Sequence, residues 1–190
     1  MFLLFMKLWQ KLILVFILGL LFGLVLQSFA FQKSCPTPAC VDSERVIPVS
    51  DRGYYPRAHE ILTGAEESIH IVTFELKYYE KYPDSKMNTL VEDLVAAHRR
   101  GVDVKVVVDE YSDRNNAYHI LDEAGIPWRF DGNKTTTHAK LIIVDGEIVL
   151  LGSTNLSYYG LERNHEANLY VEDPLTAKYY ENYFQKLWSS

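Results

Sequence analysis

Two cysteines in 190 residues are too few to staple a small fold, and no second pair of Cys or His ligands is spaced to complete a structural zinc site. Internal repeats and low-complexity tracts are absent, which excludes solenoids and disordered scaffolds. Basic residues are also scarce, with 19 Lys and Arg against 25 Asp and Glu for a net charge of -6. Because residues 1–30 hold only Lys7 and Lys11, residues 31–190 carry 17 positive and 25 negative charges, net -8. A globally basic nucleic-acid binder is thereby excluded, leaving room only for a local basic site. At 48% hydrophobic and 23% charged, the chain can build one compact domain with a real core.

What is present begins with a long apolar run. Residues 12–26 (LILVFILGLLFGLVL) follow the two lysines and precede Gln27-Ser28-Phe29-Ala30, the layout of a secretory signal with small residues at a cleavage site after Ala30. The wider stretch to Phe31 is also about long enough to stay as a transmembrane anchor, and both readings remain open. With Lys7 and Lys11 held inside, either outcome predicts an extracytoplasmic body, periplasmic, secreted or membrane-anchored. Residues 31–44 read as a linker. Within it Cys35 and Cys40 are disulfide candidates, pairing with each other or across two chains in an oxidising compartment, and a zinc site is the alternative.

From residue 45 to the C-terminus the pattern alternates. Strands are predicted at 46–49, 68–76, 102–109, 127–130, 138–144, 147–151 and 168–171, and helices at 57–67, 87–100, 115–124 and 174–188. Asp145-Gly146 between two apolar runs is a hairpin signal. The order predicts an α/β domain, a mixed and mostly parallel sheet with helices on both faces that ends in an antiparallel pair.

Chemistry concentrates in residues 138–155. On a strand, His138 and Lys140 share a face, putting a nucleophile or base beside a cation; after the hairpin, Ser153 and Asn155 return near them. An imidazole, an ammonium, a hydroxyl and an amide are the groups needed to hold a phosphate. His138-x-Lys140, Asp145 and Gly152-Ser153-x-Asn155 resemble the HKD motif of the phospholipase D superfamily at every fixed position, and Glu166 stands where that family carries a later carboxylate. The resemblance runs from about Arg45 to the C-terminus and is closest in kind to small single-motif members, bacterial secreted endonucleases and membrane-anchored mitochondrial relatives.

The resemblance implies a phospholipase D/nuclease-like fold and a phosphodiesterase that needs no metal or cofactor. His138 would attack phosphorus to form a phosphohistidine, while Lys140 and Asn155 hold the nonbridging oxygens. Ser153 would assist, Glu166 would orient the imidazole, and Gly152 and Asp145 would support the motif, Asp145 through turn chemistry. Because the family's site uses two motifs, one motif per chain implies a homodimer with its site on the twofold axis. The expected substrate is DNA or RNA; membrane phospholipid is the alternative, favoured by the apolar N-terminus and the acidic body. A noncatalytic binding module is disfavoured because each chemically active motif residue is present.

Arg114, Lys134, Arg163 and His165 are candidate substrate contacts around the mouth, with Arg129 a further cation there. Asp109 and Glu110 follow a buried strand, where open α/β sheets bind ligands, though a solvated loop fits them equally. His59, His98 and His119 lie on expected helices, and His70 reads as a satisfied core-edge residue. Tyrosine pairs at 54–55, 78–79 and 158–159 either stack bases, meet lipid, or divide between core and rim.

Overall fold

A computed structural model describes residues 45–111, 116–132 and 135–190, together with helical positions 13, 16, 17 and 19. The chain divides into two compact units, Met1–Cys40 and Val41–Ser190. The cleavage or anchor reading of residues 1–30, the Cys35–Cys40 linker, Arg114 and Lys134 lie outside the described residues, apart from those four helical positions.

The second unit is built on one seven-stranded sheet. In chain order its elements are β1 (Val46–Ser50), α1 (Tyr54–Gly64), β2 (Ser68–Thr73), α2 (Lys86–Arg99), β3 (Asp103–Val108), α3 (Tyr118–Ala124), β4 (Trp128–Phe130), β5 (Lys140–Val144), β6 (Ile148–Gly152), β7 (Ala167–Glu172) and α4 (Pro174–Trp188). The spatial order is β1-β7-β6-β5-β2-β3-β4.

Helices cover both faces, as expected of the alternation. Ile69, Ile71, Val104, Val106, Ile142 and Val144 join α1, α2 and α3 in one core, whereas Val72, Val107, Leu141, Ile143 and Val149 meet Ala177 and Phe184 of α4 in another. That division follows from the two-residue repeat of a strand.

The sheet is mixed, but its balance differs from the expected one. Only β2/β3 and β3/β4 are parallel; β1/β7, β7/β6, β6/β5 and β5/β2 are antiparallel. A buried apolar run has the same appearance in either direction, so β5 could insert antiparallel beside β2 without changing any local pattern. The β5–β6 hairpin closes through Asp145 and Gly146, both in the left-handed region at φ 54 and 63. Helix ends match their signals too: Ser85 accepts from the Asn88 amide at the start of α2, and Asp173 from the Thr176 amide at the start of α4, with Pro174 in its first turn. Helix α1 starts three residues earlier than expected, because Pro56 sits in a first turn where its missing N–H costs nothing.

This topology brings four strand ends together. The C-terminal ends of β2 and β6 and the N-terminal ends of β5 and β7 lie at one end of the sheet, as the pairs Thr73 with Lys140, Leu141 with Leu151, and Gly152 with Asn168 require.

Candidate active site

His138 precedes β5 rather than lying within it, since ladder pairing starts at Lys140. The chain is nevertheless tied to β2 there, with the Phe74 amide donating to the Ala139 carbonyl at 3.2 Å. A buried carboxylate fixes the preceding loop: Asp109 accepts from the Thr137 amide at 2.7 Å and from the Tyr111 amide at 2.8 Å. Asp109 is thus a positioning group for the His138 segment. The His138 ring is exposed and rests against Phe74, centroids 5.2 Å apart.

Lys140 lies behind it, only 6% exposed. Its Nζ donates to the His138 carbonyl at 2.8 Å and sits 5.6 Å from the Phe74 ring centroid. Burial pulls the Lys140 ammonium below the ordinary lysine range, while Glu75 and Glu166 oppose that shift through their charges. The structure thus ties the Lys140 ammonium to the His138 backbone, with both side chains against the Phe74 ring.

The β6 end supplies the rest. Gly152 is required by close approach: a Cβ there would stand 2.3 Å from Asn168 Oδ1 and 2.5 Å from the Ala167 carbonyl. Asn168, which sequence reasoning passed over as a mere strand residue, is buried and cross-links three segments. It accepts from the Thr154 amide and donates to Thr154 Oγ1 and to the Val49 carbonyl. Asn155 follows, its Oδ1 buried and without a partner in the described structure. An unpaired buried amide oxygen costs about 1–3 kcal/mol and calls for an N–H or O–H donor, while the Asn155 side-chain N–H groups are what can donate to a phosphate oxygen. Gly160 buttresses Asn155, because a Cβ at 160 would come within 2.1 Å of the Asn155 carbonyl.

Glu166 has different partners from those expected. Its carboxylate accepts from Ser153 Oγ and, at 3.0 Å, from Asn164 Nδ2, and among the described residues it makes no bond to His138. Ser153 Oγ in turn accepts from the Ala167 amide at 3.1 Å. The Glu166 backbone is clamped by Asp51, whose Oδ1 accepts from the Glu166 amide at 2.7 Å and whose own amide donates to the Glu166 carbonyl at 3.0 Å. Asp51 adopts φ 49, uncommon for a residue with a Cβ, and the Glu166 amide holds its carboxyl below the usual range. His165 Nδ1 lies 3.2 Å from Asp51 Oδ2 on an open surface. Arg52 also reaches this loop, donating to the Asn164 carbonyl, whereas Arg163 is exposed.

Asp145 lies at the opposite end of β5. Its carboxylate accepts from the amides of Glu66, Glu67 and Ser68 at 3.0, 2.7 and 2.8 Å, joining the hairpin to the α1–β2 turn. His70 is held on the α4 face, with Nδ1 2.8 Å from Glu181 Oε2 and its ring stacked on Phe184 at 4.5 Å. His59 bonds Asp93 at 2.7 Å between α1 and α2. No cluster of three or more metal-ligating side chains occurs among the described residues.

His138 is thus exposed at the sheet end with Lys140 buried against its backbone, and Ser153 and Asn155 follow the C-terminal end of β6. A family profile described as "Cardiolipin synthase, PLD-like domain" matches residues 59–188. The chain belongs to the phospholipase D superfamily. Mitochondrial cardiolipin hydrolase of Xenopus laevis is 30% identical over 159 residues, covering 83% of this chain and 66% of that protein's length. A phospholipase D of Rickettsia typhi is 30% identical over 128 residues, 66% of this chain and 58% of its own. The crystal structure of Nuc, a phospholipase D family member from Salmonella typhimurium, superposes with a TM-score of 0.67 at 26% identity, covering 76% of this chain and 93% of that one. These relatives bear the names of hydrolytic enzymes, and the chain spans less than two thirds of the length of the curated proteins it matches.

Proposed function

We propose that this protein cleaves phosphodiester bonds through a phosphohistidine, without metal, as an extracytoplasmic endonuclease on DNA or RNA. The observation that carries the reading is His138 exposed at the sheet end with Lys140 buried directly behind it. A ring nitrogen of His138 attacks phosphorus and the P–O bond to the leaving oxygen breaks. His138 of a second copy gives that oxygen its proton and then takes a proton from the water that hydrolyses the P–N bond. Lys140 and the Asn155 amide hold the nonbridging oxygens as charge builds. Two copies are needed because the sequence holds one His-x-Lys motif, so the working enzyme is a homodimer.

Nucleic acid ranks first because the chain has the proportions of the small single-motif members: it covers 93% of Nuc. Phospholipid is the second reading, favoured by the net charge of -8 on residues 31–190 and by relatives named for cardiolipin hydrolysis. The deciding experiment assays the full chain and His138→Ala on single- and double-stranded nucleic acid and on phospholipid vesicles, all in excess EDTA. Cleavage of nucleic acid that falls with salt and vanishes in the variant is expected. Headgroup release alone would transfer the assignment to lipid, and an absolute need for metal would overturn the phosphohistidine route. Light scattering during turnover tests the dimer, which an active monomer would refute.

A further inference from the structure

A cavity of about 780 Å³ opens beside the site and takes no part in the chemistry above. Its walls are Tyr79, Tyr82, Tyr158 and Tyr159, with Lys81, Asp84 and Ser85 on the lining and Pro83 as the one aliphatic side chain. Tyr82 and Tyr159 are 69% and 66% exposed, so large flat rings face solvent where burial would normally be favoured.

Two features make the cavity a built site. Buried Asn88 fixes the β2–α2 loop by accepting from the Tyr79 amide at 2.8 Å and donating to the carbonyls of Tyr79 and Tyr82 at 3.0 and 3.1 Å. The two walls are then joined, since the Tyr158 amide donates to Tyr79 Oη at 3.0 Å. A second junction lies one step nearer the chemistry, where the Lys77 amide donates to the Leu156 carbonyl at 2.9 Å.

The cavity is tied to the motif through the chain, because its wall residue Tyr158 follows Asn155 closely in sequence. Tyr158 stands three residues after Asn155, a span of at most about 10 Å even for extended chain. That is the scale of one nucleotide.

We infer that this tyrosine cavity receives a nucleobase attached to the sugar next to the scissile phosphate, a reading that rests on the nuclease assignment. Aromatic faces stack any base and so suit an enzyme without sequence preference. An acyl chain would be matched by mainly aliphatic walls, whereas Pro83 is the one aliphatic side chain here against four tyrosines. The chain's acidic body requires the same solution: where electrostatic attraction to the phosphate backbone is weak, stacking must supply the affinity. The substrate must be locally single-stranded, because a paired base is already stacked on its neighbours.

Dithymidine monophosphate, which has one phosphodiester, and the same diester lacking both bases test this in the full chain. Wild type should cleave the base-bearing diester with a kcat/KM about tenfold higher, the effect of one stacking contact. Tyr82→Ala and Tyr159→Ala should lower that value about tenfold and leave the baseless diester unchanged. Their high exposure makes misfolding an unlikely confounder, which near-UV circular dichroism checks. Equal cleavage of the two diesters by wild type refutes the subsite while leaving the nuclease intact. Equal loss on both diesters in the variants, or none on either, also refutes it. If anionic phospholipid vesicles are the only substrate and the tyrosine variants lose headgroup release, the cavity is a lipid contact and both readings fail together.

Discussion

Replacing Gly160 by Ala should cripple catalysis without altering the chemistry of any motif side chain. The added methyl would stand 2.1 Å from the Asn155 carbonyl and 3.0 Å from the Asn155 amide nitrogen. Real contacts of this kind need more than 3 Å, so Asn155 or the turn Tyr159–Arg163 must move by about 1 Å. Gly160 does not have positive φ, so the substitution strains no backbone angle and acts through this contact alone. Misplacing a phosphate-holding group by about 1 Å costs on the order of 100-fold in turnover. The same overpacking should cost about 1–3 kcal/mol of stability. Turnover at saturating substrate and a urea unfolding curve, measured on one preparation, separate the two effects. A folded Gly160→Ala protein with wild-type kcat would refute the claim that Asn155 is held by this contact and needed in place.

Asp145→Ala should behave in the opposite way. Losing a carboxylate that accepts from three backbone amides should remove about 3–5 kcal/mol in urea unfolding, with turnover per folded molecule retained. Lys140 sets an alkaline limit. Burial lowers its folded pKa, so its charge, and with it activity, is lost on raising pH before an ordinary lysine would titrate; Lys140→Arg should move that limb upward in a pH–rate profile. For stability the sign reverses: between the lowered folded value and the ordinary lysine value of 10.5 the unfolded chain binds more protons, so this residue's contribution rises with pH, measurable as an increasing unfolding midpoint in that window. Glu181→Ala strips the Nδ1 partner from buried His70 and should destabilise the packing of α4 by about 1–3 kcal/mol, read in thermal unfolding, with KM unchanged.

Much of this was legible in the sequence because it was local. Apolar runs marked six of the strands to within about two residues, and the Asp145-Gly146 turn and the Pro174 helix start were written in single residues with one physical meaning. The spacing of His138, Lys140, Ser153 and Asn155 brought all four to one sheet end because a hairpin must return its strand. What escaped depends on distant partners. Strand direction is invisible in a buried run, so the antiparallel placement of β5 against β2 could not be read. Asp51 gave no signal, since its positive φ and its grip on Glu166 exist only once β1 pairs with β7. Asn168 looked like an ordinary polar strand residue, and Gly160 like a loop glycine, until the close approach to Asn155 appeared.

The Asp51–Glu166 clamp joins residues separated by 115 positions. During synthesis, β2 and β3 can pair and collect their helices long before Glu166 exists, but β1 must wait at an open edge until β7 has been made. The Glu166 carboxylate is therefore seated in the last stage of folding, and a chain interrupted before β7 has a core but lacks the Ser153–Glu166 pair. A protein made this way assembles the β1–β7 end of its sheet only after both of those strands are available to each other.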